Sequence, residues 1–130
     1  ILIGGHRKGA FVEPTVIDEV PHDAAIAHDM EVFGPVMPII PFDTEEEALS
    51  ISNDSIYGLG GSVFTQDMKK AFYFSNELEC GSVVINGSSY FRSFEMPFGG
   101  FKQSGIGQEG VFSTFEELTR LKCITLKGIL

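Results

Sequence analysis

The sequence predicts an α/β fold, and three observations carry that prediction. Short apolar runs bounded by Gly and Pro alternate with helical patterns along the chain. A capping box, Thr44-Glu45-Glu46-Glu47, announces one helix. A second helical stripe over residues 67–78 lies between two β-like runs.

Taken in order, residues 1–3 and 14–17 are brief apolar stretches and read as short strands or extended segments. Residues 23–30 predict a short helix, with Asp23 as a cap ahead of Ala24, Ala25, Ile26 and Ala27. Residues 36–42 are apolar, but Pro35, Pro38 and Pro41 lie in or beside them. Proline cannot donate to a strand ladder, so an edge or irregular strand is expected there. In the capping box, Thr44 can accept from the Glu47 amide while Glu47 reaches back. The helix it opens runs to about residue 52, with Ala48, Leu49 and Ile51 on the inner side. Residues 58–65 predict the next strand. The helix over 67–78 then places Met68, Ala71, Phe72 and Leu78 near one stripe, and Gly81 follows as a stop. Residues 82–86 read as a buried-type strand. The following stretch, 87–108, is a long loop rich in Gly, Ser and aromatics; loops beyond about 15 residues are usually functional or disordered. Its Phe, Tyr and Met content argues against a disordered linker. A final helix over 109–118 leads into a β-like tail, 122–127.

The 130 residues suffice for one compact domain with a buried core. A net charge of −9 and the lack of any Lys/Arg cluster disfavour nucleic acid and anionic membrane as partners. No apolar stretch approaches the ~18 residues of a membrane span. Cys80 and Cys123 do not make a disulfide framework, which suits a cytoplasmic location. Neither has a neighbouring base, so both read as small buried residues rather than nucleophiles. His6, His22 and His28 show no ligand-like spacing, and no metal site is expected.

Two runs carry chemistry. Glu31-Val32-Phe33-Gly34-Pro35-Val36 sets a carboxylate two residues before an aromatic ring on a rigid turn; by itself this also fits a surface Glu and a core Phe. Pro97-Phe98-Gly99-Gly100-Phe101-Lys102-Gln103-Ser104-Gly105-Ile106-Gly107 is a Gly-rich segment ahead of the last helix. Its continuation, Gly105 to Gly110, fits G-x-G-x-x-G, but a dinucleotide fingerprint needs a preceding strand and an acidic residue ~20 positions on. A polar loop precedes it and the sequence stops short, so that reading is rejected.

Together these runs resemble the C-terminal part of an aldehyde dehydrogenase catalytic domain. The likeness extends to Gly4-Gly5, to Phe11-x-Glu13-Pro14-Thr15-Val16, to Asn53-x-x-x-Tyr57-Gly58-Leu59 and to Gly81-Ser82-Val83-x-x-Asn86. It implies that residues 1–121 belong to the catalytic domain and that 122–130 form a strand for oligomerisation. It also implies NAD or NADP as cofactor, with Glu31 binding the nicotinamide ribose hydroxyls and Phe33 packing beside the nicotinamide ring. The chemistry is reasonable: a carboxylate accepts from two hydroxyls, and an aromatic wall contacts a flat ring. Phe98 is expected to line the aldehyde pocket. The loop Ser88-Ser89-Tyr90-Phe91-Arg92 resembles that of members acting on small hydroxylated or anionic aldehydes such as lactaldehyde or phosphonoacetaldehyde. Ser89, Phe91 and Arg92 are accordingly expected at the substrate, although Arg92 could equally pair with Glu95 at the surface.

In the family a Cys thiolate attacks the aldehyde, hydride passes to the nicotinamide, and a Glu-activated water releases the acid. Neither that Cys nor that Glu matches a position here, so the 130 residues are expected to contain no catalytic nucleophile and to be inactive alone. The resemblance further implies a homo-oligomer, dimer or tetramer. A truncated relative acting as a binding or assembly module is the alternative, and a small enzyme using Cys80 ranks last.

Overall fold

The computed structural model describes residues 1–128. Eight short strands and three helices follow one another: β1 Arg7–Lys8, β2 Phe11–Val12, β3 Thr15–Ile17, β4 Val36–Pro38, α1 Glu45–Asn53, β5 Tyr57–Gly58, β6 Gly60–Val63, α2 Met68–Glu77, β7 Ser82–Ile85, β8 Phe101–Lys102 and α3 Val111–Leu118. Among the described residues the strands form four two-stranded sheets: β1 with β2, β3 with β4, β5 with β8, and β6 with β7. The mixture of helix and strand is the expected α/β class.

The best-packed unit is β6–α2–β7, two parallel strands joined by a helix crossover. Asp67 caps α2, its Oδ1 accepting from the amides of Lys69 at 2.8 Å and Lys70 at 3.4 Å. Ala71 faces inward and is 4% exposed. The far ends of the strands are clasped by Asn86, whose side-chain amide exchanges two 2.8 Å bonds with the Thr65 backbone. On α1, Thr44 Oγ1 accepts from the Glu47 amide at 3.1 Å, and Glu47 reaches back to the Asp43 amide at 2.7 Å, completing the expected box one residue further upstream. Strand β4 has β3 as its partner, in parallel register from Thr15↔Val36 to Ile17↔Pro38, as befits a proline-flanked edge strand.

Several expectations need correction. Residues 23–30 form successive turns, with Ala24 and Ala27 donating to carbonyls three residues back, and no helix; the Asp29 carboxylate is drawn to Ser55 and Ile56, and such tertiary bonds override local propensity. The run 58–65 splits at Leu59 into β5 and β6, because the two halves pair with different partners. Residues 1–3 contribute a single bridge, Ile3↔Val16. The loop 87–108 contains β8, and Phe98 and Glu109 exchange two backbone bonds at 2.6 and 2.7 Å. The last helix begins at Val111, after Gly110, and the hairpin of β1 and β2 was not anticipated. Of the α2 stripe, Met68 and Phe72 stand exposed while Ala71 and Leu78 pack inward. Residues 119–127 carry no strand pairing among the described residues; the last two residues of the expected 122–130 strand lie outside them.

Two close approaches bind the Gly-rich segment to this frame. A Cβ on Gly81 would overlap the carbonyl oxygen of Gly99, so only glycine fits where the start of β7 meets that segment. Lys102 lies in the left-handed region at φ 51°, unusual for a lysine. Its ammonium donates to the carbonyls of Asn53 at 2.6 Å and Ser55 at 2.9 Å, and pairs with Glu79 at 2.7 Å. The Asn53 side chain in turn spans the Glu77 carbonyl and the Glu79 amide.

Apolar burial is modest: among the described residues Val20 and Ala71 are the hydrophobic side chains below a tenth exposed, whereas Phe11, Phe33, Phe94, Ile106 and Leu121 are largely open.

Candidate functional site

Glu31 follows the 21–30 turns and precedes a tight turn in which Gly34 donates to Val32 and Val36 to Gly34. The Thr15 amide bonds the Pro35 carbonyl at 2.7 Å and fastens this turn to β3. Glu31 lines a cleft of about 660 Å³ between the 22–31 segment, the C-terminal end of α1 and Tyr57. The same walls carry Asp23, Asp29 and Asp54, with His22 and His28 as the basic groups. Asp29 Oδ1 accepts from Ser55 Oγ at 2.5 Å and from the Ile56 amide at 3.0 Å. His28 Nδ1 lies 3.8 Å from Asp54, and His22 Nε2 lies 3.0 Å from the Pro41 carbonyl. No ion pair engages Glu31 among the described residues. Phe33 stands beside the turn at 96% exposure, which rules out a core role within this chain.

A second cleft, of about 640 Å³, is lined by Leu59, Gly60, Ser82, Ser89, Tyr90, Arg92 and Phe98. The Arg92 guanidinium carbon sits 3.8 Å above the centroid of the Phe98 ring, a cation–π contact that orients both groups. The surface pair with Glu95 is not formed among the described residues. Ser89, Arg92 and Phe98 thus come together. Phe91 does not join them: it lines a neighbouring cleft with Val84, Ile85 and Ser88. The clefts of Glu31 and of Phe98 share no lining residue; β5 lies between them, with Tyr57 on one and Leu59 on the other.

Burial pushes the Cys80 thiol up, opposed by backbone bonds from Ser82 and Gly61, and its Sγ lies 3.2 Å from the Ser82 carbonyl. A thiol held in that way is poorly suited to attack. Gly105 to Gly110 does open α3, but the strand before it, β8, is two residues long and antiparallel to β5. That is not the parallel strand–helix unit a dinucleotide fingerprint occupies. Among the described residues no cluster of His, Cys, Asp or Glu could hold a metal ion, and no helix is long and apolar enough to cross a membrane.

The sequence motifs do not single out Asp29 and Ser55, which tie the Glu31 segment to the start of β5, or Tyr90, which lines both the Phe91 and the Arg92–Phe98 clefts. Only the spacing Asn53-x-x-x-Tyr57 hinted at the first of these.

The model of the aldehyde dehydrogenase family matches residues 1–124, and the chain belongs to that family. Lactaldehyde dehydrogenase of Methanococcus vannielii is 42% identical over 129 residues, which is 99% of this chain and 27% of the relative. Among solved structures, glyceraldehyde-3-phosphate dehydrogenase GapN from Methanocaldococcus jannaschii, complexed with NADP, is 45% identical with a TM-score of 0.84, covering 93% of this chain and 26% of its own. An aldehyde dehydrogenase of Mycobacterium tuberculosis complexed with NAD+ is 41% identical with a TM-score of 0.84, covering 99% and 27%. The chain therefore spans about a quarter of the length of the relatives it matches.

Proposed function

We propose that this chain forms the C-terminal part of the catalytic domain of an NAD(P)-dependent aldehyde dehydrogenase that oxidises a small hydroxylated or anionic aldehyde to its acid. The residues suit the cofactor: Glu31 offers two acceptor oxygens on an open cleft, and no ion pair engages them among the described residues. Glu31 would accept from the nicotinamide ribose hydroxyls, and the exposed Phe33 ring would stand against the nicotinamide. When bound, the cofactor takes up the hydride. Phe98 and Ser89 shape the aldehyde end, while Phe91 supports the adjoining wall.

One observation carries the substrate class: Arg92 lies over the Phe98 ring, on a cleft, free of Glu95. A guanidinium fixed from one face keeps its N–H edge available for a carboxylate or phosphate. The names of the relatives, a lactaldehyde dehydrogenase and a glyceraldehyde-3-phosphate dehydrogenase, fit that class. The nucleophile and general base come from polypeptide outside these residues. We assign the whole protein to the cytoplasm as a homo-oligomer, with 122–130 as the assembly strand; exposed Ile124 and Leu126 support that role.

The test is Arg92→Gln in the full-length protein, assayed by NAD(P)H formation with lactaldehyde, glyceraldehyde-3-phosphate and propanal. Loss of a charge-assisted contact raises KM for the phosphorylated aldehyde about ten-fold or more, with propanal little changed. Equal losses on all three aldehydes would sink the assignment.

A further inference from the structure

We propose that Asp29 is the positioning residue for Glu31, holding it through the Ser55–Ile56 segment; this rests on the reading of Glu31 given above. The segment before Glu31 has no helix to stiffen it, only turns in which Ala24 and Ala27 donate to carbonyls three residues back. Its attachment nearest to Glu31 is Asp29, two positions away. One carboxylate oxygen of Asp29 receives two donors, the Ser55 hydroxyl at 2.5 Å and the Ile56 amide at 3.0 Å. Charge-assisted bonds of this kind are the stronger class.

The segment that receives this anchor is itself held from the other side. The Ser55 hydroxyl oxygen accepts from the Tyr57 amide at 3.0 Å, and the Ser55 carbonyl accepts from Lys102 Nζ at 2.9 Å. The Ile56 carbonyl accepts from the Gln103 amide at 3.0 Å. Asp29 therefore fastens the Glu31 turn to a stretch already clamped by β8 and its following turn. Asp29, Glu31 and Ser55 face the same cleft. The alternative tether, His28 to Asp54, is 3.8 Å long with both side chains more than half exposed, and cannot replace it. Small displacements of a binding group cost affinity steeply, so the anchor sets how well Glu31 meets its ligand.

The experiment compares Asp29→Ala, Asp29→Asn, Ser55→Ala and Glu31→Gln in the full-length protein. Hydrogen exchange at the Thr15 amide, which the Pro35 carbonyl of the Glu31 turn protects, is measured with dissociation constants for NADH and NADPH and KM for the aldehyde. Asp29→Ala speeds exchange at Thr15 and weakens cofactor binding, each on the order of ten-fold, while KM for the aldehyde stays within about two-fold. Asp29→Asn retains an acceptor oxygen and restores most of both. Unchanged exchange at Thr15 in Asp29→Ala, or faster exchange spread evenly over the whole chain, overturns the proposal. Should that variant not fold, Ser55→Ala removes the hydroxyl half of the same anchor from the opposite side and decides between the same outcomes with a smaller shift. Cofactor binding unaltered in Glu31→Gln overturns the ribose reading instead, while the exchange data still decide whether Asp29 holds the turn.

Discussion

Gly81 and Gly99 meet so closely that the backbone itself is the packing surface. A methyl group at residue 81 has nowhere to go without pushing the Gly-rich segment off β7. Gly81→Ala should cost about 1–3 kcal/mol, the usual penalty for overpacking, read as a lower urea midpoint. At the same scale, the candidate residues Glu31, Arg92 and Phe98 stand in short contiguous motifs that carry the resemblance, and the structure sets Ser89 on one cleft with Arg92 and Phe98. Phe91 was not separable from Arg92 in sequence, because neighbouring side chains on a loop diverge according to backbone turns that no spacing rule encodes. Asp29 escaped for a different reason. Its partners Ser55 and Ile56 lie 26 and 27 residues away, and a lone Asp near a turn is usually read as a local cap.

Among the elements, helix α1 was readable from its cap, Thr44 with Glu47, and helix α2 from its apolar stripe; the Asp67 cap on two amides emerged with the structure. Removing the latter by Asp67→Ala should destabilise the β6–α2–β7 unit by about 1 kcal/mol, seen as a shift of the unfolding midpoint with an unchanged slope. The false helix over 23–30 shows the converse. Ala-rich composition favours helix, but the Asp29 carboxylate bonds Ser55 and Ile56 across the chain, and the backbone settles into turns. The division of 58–65 into β5 and β6 was likewise beyond local reading. What separates them is the arrival of β8 from more than forty residues downstream. Strand identity in this chain is decided by partners, whereas helices α1 and α2 carry caps of their own.

At the scale of the whole molecule, the large apolar side chains left open far outnumber those enclosed. Val111, Phe112, Phe115 and Leu118 on α3 are all exposed, as are Leu121, Ile124 and Leu126 beyond it. Together with coverage of about a quarter of its relatives' length, this supports a chain that completes its core against other polypeptide. The expected consequence is functional as well as structural. The 130 residues by themselves should produce no NADH or NADPH from lactaldehyde, whereas the full-length protein does; turnover by the short chain would refute the assignment of the nucleophile to other residues.

One lysine amine links these levels. Lys102 gathers oxygens from the end of α1, from the approach to β5 and from Glu79, and it does so through a single positive charge. Acylating that amine would abolish the charge and lengthen the side chain in one stroke. The Glu31 cleft, whose wall includes Ser55, would then slacken, although it does not contain the modified atom.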